Sequence, residues 1–103
     1  MPIQRQQIEG NVMIKRKTAW VTRFASIKDS IFIYKKDRYS IDARYMTDLR
    51  KTNVRKGTLE NDKGYFEIKD KTDPKAEVIR ISFSDKEEFR KWGLIFIESI
   101  KSD

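Results

Sequence analysis

The sequence contains no cysteine and no histidine. Without cysteine there is no disulfide framework and no thiolate metal site. Without histidine, the commonest general base and the commonest metal ligand are also missing. Glycine and proline are scarce, at 4 and 2 residues, and no linker, internal repeat, low-complexity segment or glycine-rich phosphate loop is visible. No apolar run approaches the roughly 20 residues of a membrane span. Met1-Pro2-Ile3-Gln4 has no signal-peptide apolar stretch, and position 2 is not the glycine that N-myristoylation needs. The absence of cysteine fits a reducing compartment, and a cytoplasmic location is expected.

What is present is charge and a small stock of aromatics. Of 103 residues, 38% are charged and 38% hydrophobic, and the two tryptophans, four tyrosines and six phenylalanines argue against disorder. A chain of this length corresponds to one ordinary domain, expected to span 1–103 with a core over 8–101 and a short extension at 1–7. The 16 acidic residues form no recognisable pair and no metal-ligand spacing. The expectation is therefore a protein that is not an enzyme and needs no cofactor or metal.

The net charge of +7 is unevenly placed. Residues 1–36 carry eight basic groups against two acids, Glu9 and Asp29, whereas residues 37–103 are nearly balanced. A positive patch near the start attracts anionic partners, whether lipid headgroups, nucleic acid or acidic protein. Lys15, Arg16, Lys17, Lys28, Lys35 and Lys36 supply this field, with Lys15-Arg16-Lys17 read as an anion-facing tip.

Alternation and β-branched or aromatic enrichment predict strands over 11–17, 20–27, 30–36, 44–49, 52–59, 65–69 and 76–83. Only Thr18 and Ala19 separate the first two. Lys28-Asp29 is expected to turn the second strand into the third, residues 37–43 read as a loop, and Asn61-Asp62-Lys63-Gly64 as a turn. The period then changes. Ser84 to Glu87 has the spacing of a capping box, with Ser84 as the N-cap. Phe89, Trp92, Phe96 and Ile100 form one helical stripe, widened by Leu94, Ile95 and Ile97. Such a helix must bury its stripe, and the open end of a strongly bent antiparallel sheet is the place for it.

Seven strands closed by one C-terminal helix bearing a central tryptophan resembles the pleckstrin-homology (PH) family, over residues 8–101. Glu9-Gly10 resembles the dipeptide before the family's first strand. Trp20 to Phe24, then Asp29, then Phe32-Ile33-Tyr34 resemble its second and third strands. Tyr65-Phe66-Glu67-Ile68 is similar to its Phe-x-Ile strand, and Ser84 to Ile100 to its closing helix. The resemblance implies a PH-like fold, mainly β: a seven-stranded bent antiparallel sheet or partly open barrel capped by the helix. It also implies a phosphoinositide site between strands one and two, to which Arg23 and Tyr34 correspond by position. Val21 stands where a second cation is usual, and Ile14 where the strand-one lysine is usual. A bulge would restore Lys15; without one the site is short of two cations. The candidate anion-binding set is therefore Lys15, Arg16, Lys17, Arg23, Tyr34 and Lys36. Arg23 reads equally as a member of a cross-strand ion pair, and Trp20 as a packing residue rather than a membrane-inserting one.

Two functions follow from the resemblance and the charge. The first is weak peripheral association with anionic, phosphoinositide-containing membranes through a degraded headgroup site, on the cytosolic face. The second is a protein-interaction scaffold that has lost lipid binding. Nucleic acid is not expected as a partner, because the aromatics fall on core faces rather than on an exposed stacking platform.

Overall fold

Nine-residue strands β1 (Gln7–Lys15) and β2 (Trp20–Lys28) pair along their whole length, from Gln7 opposite Lys28 to Lys15 opposite Trp20. This computed structural model describes residues 7–59 and 63–101. Residues 1–6 of the expected extension, and Asn61 and Asp62 of the expected turn, lie outside them. β1 starts four residues earlier than its apolar pattern suggests. Full pairing with β2 recruits Gln7 to Gly10, of which only Ile8 prefers a strand by itself.

β3 (Ile31–Lys35) and β4 (Tyr45–Asp48) extend the sheet on one side. A 3-10 turn, Leu49–Lys51, leads into β5 (Thr52–Thr58), which pairs with β6 (Gly64–Asp70), which in turn pairs with β7 (Ile79–Ser82). β7 closes onto β1 through Met13 to Lys15 alone. All pairings are antiparallel, and the spatial order is β4-β3-β2-β1-β7-β6-β5. β4 and β5 remain edges, so the sheet is bent but not closed. β7 is shorter than its alternating sequence predicts: the β1–β7 ladder stops at Lys15 opposite Arg80, and Ala76 instead bonds back to the Asp73 carbonyl.

The β2–β3 turn is centred one residue later than expected. Lys28 stays in the ladder opposite Ile31, and Asp29 and Ser30 form the loop with φ of 52° and 68°. Two successive left-handed residues are the geometry whose twist suits a two-residue hairpin. The Ser30 carbonyl accepts from the Leu49 amide at 2.8 Å, which ties this turn to the 3-10 segment.

The helix α1 (Lys86–Lys101) has the sixteen residues expected. Its N-cap is Asp85, not Ser84: the Asp85 carboxylate accepts from the Glu88 amide at 2.8 Å. Asp85 is as good a cap as serine and places Glu88 at the third helical position. Trp92 and Phe96 are buried among Phe32, Phe66, Phe83, Leu49 and the inward isoleucines of the sheet. Gly93 lets the helix approach, since a Cβ there would sit 2.9 Å from the Phe66 ring. Leu94 and Ile97 do not widen the buried stripe; they are 58% and 51% exposed. Lying two and five residues past Trp92, at about 100° per residue, they fall on the far side of the helix. Ser99 takes a buried place instead.

Candidate anion-binding site

Antiparallel pairing brings three connections to one end of the sheet: those after β1, after β3 and before β7. Between them lies a concavity of about 440 Å³ lined by the charged and phenolic groups of Arg16, Lys17, Arg23, Tyr34, Arg44 and Glu77, with Ile14 and Val21 among its apolar wall. Four of the six candidate residues therefore converge. Tyr34 is brought there by the inward alternation of β3, and Arg23 by that of β2. The β1–β2 connection is four residues long, 16–19, rather than the two read from the sequence, because β1 stops at Lys15.

Lys15 and Lys36 do not join this lining. The β1–β2 register runs without a bulge, so Ile14 points inward at 1% exposure and Lys15 outward. There the Lys15 ammonium sits 6.0 Å from the Trp20 ring. Trp20, opposite Lys15 across the β1–β2 ladder, thus offers that cation an aromatic surface. Lys36 is exposed at the start of the β3–β4 loop.

Arg16 is already engaged. Its Nε donates to Glu77 Oε2 at 2.7 Å, its Nη2 donates to the same oxygen, and its Nη1 donates to the Tyr34 hydroxyl at 3.3 Å. The bond to Glu77, ahead of that to Tyr34, holds the Arg16 guanidinium above its ordinary pKa against the cost of burial. Arg23 donates to the Thr22 carbonyl at 2.9 Å and makes no ion pair among the described residues, so the cross-strand pair is not formed. Lys17 and Arg44 likewise carry no ion pair among the described residues. The site's electrostatics are those of three free cations beside one neutralised pair.

Two lining residues escaped the sequence reading. The alternation predicts a strand beginning at Arg44, but Arg44 precedes β4, and its amide donates to the Tyr34 carbonyl at 2.9 Å. Counting the hairpin back from Tyr34 opposite Tyr45 would have placed it. Glu77 sits in the loop before β7, in a segment whose alternation reads as strand. Nothing local in the sequence signals its contact with Arg16, 61 residues away. A larger cavity, about 690 Å³, lies at the opposite end beside the helix N-terminus over Phe83 and Phe89; none of the candidate residues lines it. No cluster of metal-ligating side chains occurs among the described residues.

An unclosed seven-stranded antiparallel sheet with a C-terminal helix across its core defines the PH-like class of binding modules. The PH domain family model matches residues 6–101, and the chain belongs to that family. No curated protein matches it in sequence. Among solved structures, the PH domain of human KIAA0053 protein superposes with a TM-score of 0.78 at 16% identity, covering 92% of this chain and 88% of that one. The carboxyl-terminal PH domain of pleckstrin gives 0.71 at 16% identity, covering 91% and 96%. The activated truncation of Vav1 gives 0.75 at 22% identity over 90% of this chain, which spans only 25% of that longer one. At such identities the likeness establishes the fold. PH domains are generally non-catalytic modules that bind phospholipids or proteins.

Proposed function

We propose that this domain is a non-catalytic targeting module that associates weakly with anionic phospholipid surfaces, phosphoinositides included, on the cytosolic face of a membrane. The observation that carries this reading is the convergence of Lys17, Arg23 and Arg44 on one concavity, with Glu77 the one acid in its lining. Near an anionic leaflet each basic residue contributes roughly 1 kcal/mol. Three or four facing the surface total roughly 3–4 kcal/mol, an affinity near millimolar. Alone that is transient, and it suits one of two signals acting together. A tight, stereospecific headgroup site is disfavoured by the same geometry. Val21 occupies a cation position, Lys15 points away, and Glu77 holds Arg16 and repels a phosphate. Tight binding needs several charge-assisted contacts on adjacent phosphates.

Vesicle sedimentation tests this. Binding is expected to follow total anionic lipid, phosphatidylserine included, and to fall steeply between low and moderate salt. Retention that requires one particular inositide and survives salt would instead mean an intact pocket.

The second reading, a scaffold without lipid binding, has one observation in its favour. Leu94 and Ile97 present an uncovered apolar pair, one turn apart, on the outer side of α1. Failure to bind any anionic vesicle would leave that reading standing.

A further inference from the structure

The loop joining β3 to β4, residues 36–44, carries the two most exposed large hydrophobic side chains of the described residues: Ile41 at 95% and Tyr39 at 85%. Isolated exposed apolar residues are ordinary, but here two lie two positions apart on a shaped tip. The Asp37 carboxylate accepts from the Tyr39 amide at 2.9 Å, the Ser40 amide at 2.9 Å and the Ser40 hydroxyl at 3.1 Å. The Ser40 amide also bonds the Asp37 carbonyl at 3.2 Å. The bonds from Tyr39 and Ser40 hold the Asp37 carboxyl below the usual range, so the brace is ionised and intact near neutrality. The brace thus orders the backbone from Asp37 to Ser40, directly before Ile41, ahead of any partner, which lowers the entropy lost on docking.

Its surroundings point to the occupant. Lys35 and Arg38 sit 5.9 and 5.6 Å from the Phe24 ring at the base of the loop, and Lys36 is beside them. Arg44, at the loop's other end, lines the cationic concavity. Both of the loop's acids, Asp37 and Asp42, oppose this field, but Lys36, Arg38 and Arg44 outnumber them within residues 36–44 and Lys35 adds a further cation at the base. A tyrosine and an isoleucine standing proud of a cationic collar match the interfacial zone of an anionic bilayer. There the aliphatic chain enters hydrocarbon, the phenol stays at headgroup level, and the collar meets the phosphates.

We infer that Tyr39 and Ile41 form a preformed wedge that inserts into the interface of an anionic membrane when the basic end docks. This inference rests on the membrane reading above and adds a hydrophobic component to it.

The absence of cysteine makes the test direct. A single Ile41→Cys substitution, labelled with an environment-sensitive fluorophore, reports immersion at that position. The label is expected to brighten, shift blue and be quenched by brominated acyl chains when phosphatidylserine-containing vesicles are added. In parallel, Tyr39→Ser/Ile41→Ser is expected to lower the vesicle partition coefficient of the unlabelled protein by roughly tenfold to a hundredfold, with an unchanged thermal melt because both side chains are exposed. If the wild type sediments with vesicles, yet the label stays in water and the double variant partitions normally, the wedge is wrong and the electrostatic reading survives. If the wild type binds no anionic vesicle, both fall. A double variant that loses binding while the label remains in water also overturns insertion, since the loop would then be docking without entering the bilayer.

Discussion

Glu77 offers the sharpest test of how the concavity works. In the wild type its carboxylate takes two donors from Arg16, so that cation is compensated where an anionic surface would arrive. Glu77→Gln keeps an acceptor for Arg16 and removes one negative charge from the lining. One further net positive charge facing an anionic leaflet contributes roughly 1 kcal/mol, or about fivefold in affinity. The stability cost is small. Arg16 and Glu77 are 44% and 40% exposed, and ion pairs this open contribute at most about 1 kcal/mol. Glu98→Gln, on the exposed side of α1, adds the same net charge far from the concavity and serves as the control. Sedimentation with phosphatidylserine vesicles should show about a fivefold gain for Glu77→Gln, little for Glu98→Gln, and shrinkage of the gain as salt rises. Equal gains from both variants would mean that overall charge acts rather than this site. No gain from Glu77→Gln would mean the concavity does not face the anion.

Asp85→Ala should cost about 1 kcal/mol in a urea melt, because it removes the cap on the Glu88 amide, whereas Ser84→Ala should be nearly neutral. Gly64→Ala should destabilise by about 1–3 kcal/mol. Its Cβ would fall 2.5 Å from the Phe89 ring, which could move aside only by giving up its stacking on Phe66 at 4.5 Å. Ser30→Gly should stabilise by about 0.5–1 kcal/mol in the same assay, since φ of 68° strains a residue that carries a Cβ. Asp48 and Asp70 are held below the usual carboxylate range, first by the Arg50 guanidinium and the Thr72 hydroxyl respectively. A depressed folded pKa means stability that is complete above the unfolded value, about 3.9, and is lost as pH falls through the folded one. The urea midpoint should therefore drop only below about pH 4 on their account, and by less in Asp48→Asn.

Much of the fold is legible in one dimension because its determinants are local. Period-two alternation in β1, β2 and β3 and the 3.6-residue spacing of Phe89, Trp92 and Phe96 are properties of short windows, and each window buries the face its pattern presents. The sequence pattern places the helix cap one residue early for a local reason too: Ser84 and Asp85 are equally competent, and only the turn after β7 decides between them. Leu94 and Ile97 look like core in a composition count, yet the angle from Trp92 turns them outward.

The candidate site divides differently. The uneven charge of the first third is present in the order of residues, and so are the matches of Arg23 and Tyr34. Which cations face one another is not. An unbulged β1–β2 ladder sends Lys15 to the outer face and Arg16 inward, since a one-residue change of parity moves a side chain across the sheet. Arg44 arrives by hairpin closure. Glu77 reaches Arg16 across 61 residues because β7 returns beside β1. Strand and helix patterns are set by neighbours in the chain, so the sequence alone determined the elements and the sign of the field. The balance of charge inside the concavity is set by contacts between distant strands, and those only the tertiary structure decided.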